Sequence, residues 1–331
     1  MHNIFISGGA GYVGTRLVNQ LLKKGHRITV YDTFYFGNFL PTHPNLKCVK
    51  GDIRDTKAWA DAVKGCDTVI HLACISNDPS FELDDGLSTS INYDCFEPLV
   101  IASKAAGVRR FINASTSSVY GVSSAPLVKE DHPLVPLTHY NKFKGLCEKL
   151  LFKHQSKDFV CVTIRPATVC GYSARMRFDL SVNILTNHAV NKGKITVFGG
   201  DQLRPNLHIQ DMCDLYEFLL DVPDAKIAGE TFNFGNQNLS LIDLAYVVKK
   251  VVQEEFPEKG DIAIERTPSN DQRSYHICSD KIAEKLGVRP KKGVEDAVRE
   301  LCQAFKKKQF ETPMENPLYF NVKTLKANGI T

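Results

Sequence analysis

Ser7-Gly8-Gly9-Ala10-Gly11-Tyr12-Val13-Gly14 follows at once on the apolar run Asn3-Ile4-Phe5-Ile6 and leads into a helical pattern over 12–24. Eighteen residues past Gly14, a second apolar run, Ile28-Thr29-Val30-Tyr31, ends in Asp32. Strand, glycine turn, helix and a strand closed by an acid make up the βαβ unit that binds dinucleotides. In that unit Gly8 permits the tight turn, Gly11 lets the backbone approach a pyrophosphate, and Gly14 lets helix pack closely on strand. The helix opening at Tyr12 and Val13 offers free N–H groups and its positive dipole end to the phosphates. Asp32 accepts hydrogen bonds from the adenosine ribose and repels a 2′-phosphate, so the cofactor expected is NAD rather than NADP.

Outward from this unit, apolar strand runs alternate with helical patterns through the first half of the chain. Strands are expected over 3–7, 27–31, 46–50, 67–72, 110–115 and 159–165, and helices over 12–24, 56–64, 88–106 and 139–155. The alternation predicts an α/β protein, a doubly wound parallel sheet (Rossmann fold) covered by helices on both faces. From about Gly171 the pattern loosens into an Arg-rich loop, a helix near 178–191, a short strand over 195–198, and helices near 210–220, 240–255 and 279–308. Two units are expected: a cofactor domain over 1–170, to which segments near 206–236 return, and a smaller mixed α/β substrate lobe over 171–331. Ligand then lies in the crevice at the strand ends.

At 331 residues the chain is long enough for a well-buried core, and its net charge of +4 is too small and dispersed to point to nucleic acid. No apolar run approaches the length of a membrane span, and the N-terminus enters a core strand too soon for a signal peptide. The ten cysteines contain no Cys-x-x-Cys pair, so neither a zinc site nor a disulfide framework is expected. Cys48, Cys161 and Cys213 read as small core residues. A reduced, cytoplasmic protein without a metal is the expectation.

The chemistry concentrates after the fifth strand. Ala114-Ser115-Thr116-Ser117-Ser118-Val119-Tyr120-Gly121 forms a hydroxyl-rich strand end, and a later helix opens with Tyr140-Asn141-Lys142-Phe143-Lys144. Tyr140 and Lys144, four apart, share one helix face. An ammonium beside a phenol favours the phenolate, which equips Tyr140 as a general base toward a substrate hydroxyl. Thr116 is placed to hydrogen-bond the same oxygen. Thr116, Tyr140 and Lys144 are the expected catalytic set.

These motifs together resemble the extended short-chain dehydrogenase/reductase family, the nucleotide-sugar epimerases and dehydratases. Gly51-Asp52-Ile53-Arg54-Asp55 resembles the segment in which Asp52 and Ile53 flank adenine, and His71-Leu72-Ala73-Cys74 the strand under the cofactor. Asn92 matches a structural asparagine. Arg165-Pro166-Ala167-Thr168-Val169-Cys170-Gly171 resembles the segment that contacts nicotinamide and turns toward substrate, with Thr168 and Cys170 replacing the usual Asn and Tyr. The resemblance implies cofactor contacts from Leu72, Ala73, Cys74, Ala114, Ser115, Pro166 and Ala167, and a Lys144 that also binds the nicotinamide ribose. It further implies a homodimer, built as a four-helix bundle from the helices near 88–106 and 139–155.

For substrate, a nucleoside-diphosphate sugar, the resemblance implies a diphosphate held by Arg204 and Arg273, with Arg175 or Arg177 closing from the loop after Gly171. Guanidinium groups suit phosphate. Arg175-Met176-Arg177-Phe178-Asp179-Leu180 is similar to a stretch in certain bacterial sugar-nucleotide enzymes, among them GDP-heptose 4-dehydrogenases. Asn77, Ser117, Ser118, Thr168 and Asn183 complete the expected substrate contacts. In the family's 4,6-dehydratases an Asp and a Glu follow the catalytic Ser/Thr; here Ser117 and Ser118 stand there and lack that acid–base capacity. Oxidation at carbon 4 needs only Thr116, Tyr140, Lys144 and NAD, which leaves a 4-epimerase, favoured, beside a 4-dehydrogenase or 4-ketoreductase. A non-catalytic NAD-binding regulatory or assembly protein is the reading of another class, disfavoured because Tyr140 and Lys144 are both kept.

Overall fold

The computed structural model describes residues 1–330 except 124, 126 and 270–273. Apolar runs become the strands β1 (Asn3–Ser7), β2 (Arg27–Asp32), β3 (Leu46–Lys50), β4 (Thr68–His71), β5 (Arg110–Ala114) and β6 (Val160–Pro166). After β7 (Thr168–Cys170), β8 (Lys194–Phe198) and β9 (Leu203–His208), the chain returns to the main sheet through β10 (Glu230–Phe234). That sheet has seven strands in the order β10-β6-β5-β4-β1-β2-β3, all pairs parallel. Its strand order reverses between β1 and β4, where the ends of the two strands diverge and leave a crevice.

Each face carries its own core. The helix Tyr12–Lys23 packs against Ile209–Phe218 on one side, around Ile4, Ile6, Leu17 and Val30. On the other, Trp59 is fully buried among Phe5, Tyr31 and His71 and donates its indole N–H to Ser103 Oγ (3.0 Å). A second lobe is built from β8 paired with β12 (Ala263–Thr267), and from the helices Ser181–Lys192, Leu241–Glu255 and Val294–Lys306, which enclose a separate apolar cluster. A three-stranded sheet, β11 (Gln237–Ser240) with β9 and β7, joins the two.

Three expectations change. The helix over 88–106 is broken into Asp85–Thr89, a π-helical turn Ser90–Asp94, and Phe96–Ala105. Within that turn the buried Asn92 amide accepts from Ile75 N (2.8 Å) and donates to Ile75 O (2.9 Å), tying the helix to the chain leaving β4. The helix over 279–308 is two, Asp280–Leu286 and Val294–Lys306, because Gly287 turns left-handed (φ 72°) and Pro290 cannot resume a helix. Cys48 is exposed rather than in the core, since β3 is the edge strand of its sheet. Among the described residues, no helix is long and apolar enough to cross a membrane, and no cluster of three His, Cys, Asp or Glu side chains suits a metal.

Candidate active site

A cleft of about 720 Å³ opens at the carboxyl ends of β1, β2, β4 and β5 and runs on between the lobes. Its floor is the glycine turn. Gly8 is left-handed (φ 73°), and a Cβ there would meet Ala73 N at 2.6 Å; at Gly14 a Cβ would meet Gly8 O at 2.4 Å, so helix and turn touch through bare backbone. Gly11 caps the helix without any side-chain hydrogen bond, which leaves the first N–H groups to face the cleft where Tyr12 and Val13 also lie.

Asp32, at the end of β2, accepts from Ala10 N (3.0 Å) and Phe34 N (2.8 Å), and burial pushes its carboxyl up. Asp52 is forked by Arg54 (2.6 Å) beside the buried Ile53. Leu72, Ala73 and Cys74 continue from β4, Ala114 and Ser115 end β5, and Pro166 and Ala167 follow β6; all line the cleft. Ser115 Oγ donates to the buried Glu148, itself held by Arg165 (2.6 Å), so this wall rests on an internal ion pair.

Across from the glycine turn, Thr138 caps the helix His139–Lys153 by accepting from Asn141 N (3.3 Å). The helix thereby presents Tyr140 and Lys144 one turn apart. Thr116 Oγ1 lies 2.8 Å from Ser118 Oγ, which donates to Asn141 Oδ1, linking the end of β5 to the start of that helix. Thr116, Ser117, Ser118, Tyr140 and Lys144 line one stretch of the cleft.

The electrostatics differ from the simple Tyr–Lys pairing. Lys144, almost fully buried, donates to Ala114 O (2.9 Å). Burial pushes the Tyr140 phenol well up, Cys74 and Asp78 add to this, and the cation that opposes them is Arg177. Arg177 is fixed by Asp179 (2.9 Å) and by Ser76 Oγ (3.2 Å).

The remaining expected substrate residues separate. Asn77 (φ 75°) lines the cleft and uses its side-chain oxygen to cap the turn Asp78–Phe81, accepting from Ser80 N (3.0 Å). Thr168 lines the cleft from β7. Arg204 does so from β9, with its guanidinium 5.5 Å from the Tyr275 ring. Asn183 is a correction: it is fully buried and does not line the cleft, because its amide accepts from Gly171 N (3.0 Å) and donates to Arg177 O (2.9 Å) and Tyr12 Oη (3.1 Å). It shapes the arginine loop from behind. Arg273 lies outside the described residues. Arg175 stands 3.9 Å from the Phe36 ring and near enough to Asp32 to feel its charge.

Sequence reasoning missed Phe36, Ser76 and Asn321 in this lining. For the two loop arginines a signal exists: in an extended chain residues 175 and 177 project together while Met176, 1% exposed, enters the core. Nothing local foretells Asn321, which reaches the site from the far end of the chain.

A parallel α/β sheet with a glycine-turn cradle at its switch point and a Tyr/Lys pair beside it defines a dinucleotide-dependent enzyme of the extended short-chain type. The chain belongs to the NAD dependent epimerase/dehydratase family, whose model matches residues 4–235. The turn, Asp32 and the ends of β4 and β5 line the same cleft. The chain is 26% identical over 318 residues to a UDP-glucose 4-epimerase of Lactobacillus helveticus, covering 89% of this chain and 94% of the relative. It is 27% identical over 276 residues to a 3 beta-hydroxysteroid dehydrogenase/Delta 5-->4-isomerase of Mycobacterium tuberculosis, covering 77% of this chain and 70% of the relative. Among solved structures, MoeE5 in complex with UDP-glucuronic acid and NAD shares the fold, with TM-score 0.80, 22% identity, and coverage of 92% of this chain and 99% of that one.

Proposed function

We propose that this protein is an NAD-dependent 4-epimerase of a nucleoside-diphosphate sugar. The observation that carries the reading is the content of the cleft beside Tyr140. Ser117 and Ser118 follow Thr116, and each carboxylate of the lining is already engaged: Asp32 by backbone N–H groups, Asp52 by Arg54, Asp78 by Thr138 Oγ1 (2.6 Å) and Asp179 by Arg177. Loss of water across carbons 5 and 6 needs an acid and a base, whereas oxidation at carbon 4 needs one base and a hydroxyl partner. A 4-dehydrogenase uses the same groups and differs only in releasing the ketone.

Bound NAD supplies the hydride acceptor and donor together with a positive ring charge. Tyr140 takes the proton of the 4-hydroxyl, and Thr116 hydrogen-bonds that oxygen. Lys144, steadied by Ala114 O, holds the nicotinamide ribose. Arg177 draws the phenol down against the effect of burial. The lobe over 171–331 binds the nucleotide end, with Arg204 and Arg273 on the diphosphate and Arg177, fixed by Asp179 and Ser76, facing it; Thr168 borders the sugar. Anchoring the non-reacting end leaves the keto sugar free to turn and present its other face. These arginines suit a diphosphate and have no counterpart need in an apolar steroid.

Two such chains associate through the helices Phe96–Ala105 and His139–Lys153, the first of which leaves Ile101 half exposed. Incubation with a panel of nucleotide sugars, read by mass and NMR, tests the reaction. An isomer of unchanged mass supports it; loss of two hydrogens makes the enzyme a dehydrogenase, and loss of water overturns both.

A further inference from the structure

We propose that the dinucleotide site extends to the C-terminal helix Asn321–Ala327: Asn321 holds the Arg175 guanidinium against Phe36, beside the start of the helix Tyr12–Lys23, and that guanidinium binds the cofactor pyrophosphate. The inference rests on NAD being the cofactor and moves Arg175 from the substrate half of the cleft to the cofactor half.

Arg175 is 2% exposed yet lines the cleft. Its Nη2 donates to Asn321 Oδ1 (2.6 Å) and its plane lies over Phe36, while its Nε is buried and has no partner among the described residues. The Nε is sealed off from the cleft, but a buried cation carries a desolvation cost that an anion beside the guanidinium relieves. Burial and the like charge of Arg177 press on this cation, pushing it down to about 9, although Asp179 and Asp32 pull the other way. Fork-shaped donors of this kind match phosphate oxygens.

Location decides which phosphate. Arg175 is close enough to Asp32 and to the Tyr12 phenol for both to act on its charge. The loop that carries it is fastened to the same helix start, since Ser173 Oγ donates to Tyr12 O (2.7 Å) and Tyr12 Oη donates to Gly171 O (2.6 Å). A dinucleotide held at its ribose by Asp32 and at its phosphates by the uncapped helix end would bring its pyrophosphate to the helix start to which the Arg175 loop is fastened.

The C-terminal helix keeps the arginine there. Asn321 is 4% exposed; its amide also donates to Ser76 Oγ (2.9 Å), and its backbone N–H donates to Asp179 Oδ2 (3.0 Å). Leu325 and Ile330 cluster with Ile75 and Phe36, so the segment is sealed to the loops that border the cofactor. Asn321 is a positioning residue.

The test is calorimetric titration of NAD, ADP-ribose, adenosine and UDP into the full chain and its Arg175→Met, Arg175→Lys and Asn321→Leu variants. Arg175→Met is expected to weaken NAD and ADP-ribose about ten- to hundredfold while adenosine and UDP stay within about twofold. Asn321→Leu gives the same pattern at about threefold or more. If Arg175→Met does not fold, Arg175→Lys carries the test, because it keeps charge and bulk but loses the fork, and a several-fold loss confined to the phosphate-bearing cofactor ligands is expected. Unchanged NAD affinity in the variants overturns the proposal and leaves the cofactor assignment standing. Weakened UDP with intact NAD returns Arg175 to the substrate. A wild-type chain that binds no dinucleotide overturns both.

Discussion

Replacing Glu300 by Gln should cost about 2–3 kcal/mol of stability at neutral pH, and most of that cost should vanish in acid. Glu300 lies on the helix Val294–Lys306 and reaches the base of the arginine loop. Its carboxylate accepts from Tyr172 N (3.0 Å), pairs with Arg16 Nη1 (2.8 Å) and approaches His208 Nε2 (3.3 Å). His208 Nδ1 accepts from Gln210 N (3.0 Å), so the Nε2–H is the one that donates to Glu300. Burial alone pushes this carboxyl up; His208, Arg16 and the Tyr172 amide together outweigh it and hold it at about 2, against an ordinary 4.5. The folded pKa is depressed, so the stabilisation is fully present above pH 4.5 and is lost as pH falls toward 2. A gap of that size corresponds to about 3 kcal/mol, reduced somewhat by the partial exposure of the side chain. Urea unfolding of wild type and Glu300→Gln at pH 7 and pH 3 measures it, and less than half of the difference should remain at pH 3. A difference that is equal at both pH values, or below about 0.5 kcal/mol at pH 7, would refute the reasoning.

Four further outcomes are expected. Tyr140→Phe should lower turnover by about 10²–10⁴ while NAD titration stays near wild type, and the wild-type rate should rise with pH, because the phenol is held above its ordinary value and only its ionised form is the base. Asp32→Ala should weaken NAD and bring NADP closer to it in competitive titration, since the carboxylate is what excludes a 2′-phosphate; wild-type preference for NADP would contradict this. Arg204→Ala should raise the Michaelis constant for a nucleotide sugar by about ten- to hundredfold with NAD affinity unchanged. Light scattering at working concentration should find a dimer, which Ile101→Glu reduces to a monomer.

The parallel sheet was legible because its central strands are buried on both faces and read as apolar runs, from Ile4-Phe5-Ile6 in β1 to Val160-Cys161-Val162 in β6. The glycine turn was legible for a complementary reason: Gly8 and Gly14 stand where a Cβ collides with backbone, so residue type reports geometry directly. β9 escaped because it reads Leu203-Arg204-Pro205-Asn206-Leu207-His208, a run of polar residues and a proline that does not look like a strand. The break in the helix after Asp85 follows from the demand of Ile75 for both hydrogen bonds of Asn92, a tertiary contact that no helical period encodes. At the site, the sequence offers residue types but not the neighbours each one meets. Asn183 looked like a ligand contact, since an Asn amide serves a phosphate or a backbone equally well, and only the fold decides which it meets.

The loop from Gly171 to Asp179 invites description as a lid, but its contacts describe a fixed wall. Gly171 is gripped by Tyr12 and Asn183, Tyr172 by Glu300 and Arg16, Ser173 by Tyr12, Arg175 by Asn321, and Arg177 by Asp179 and Ser76. These partners come from the first helix, the second lobe, the chain after β4 and the C-terminal helix. A loop tied at five places has little freedom left to lose on binding, so the arginines it carries are already placed and their interactions with anions are not offset by ordering. The same ties join the cofactor floor to the substrate lobe through one short segment. Cutting a tie remote from the chemistry, at Glu300 for instance, should therefore weaken cofactor affinity as well as stability, whereas an equally destabilising change in the separate core around Val248 should lower stability alone.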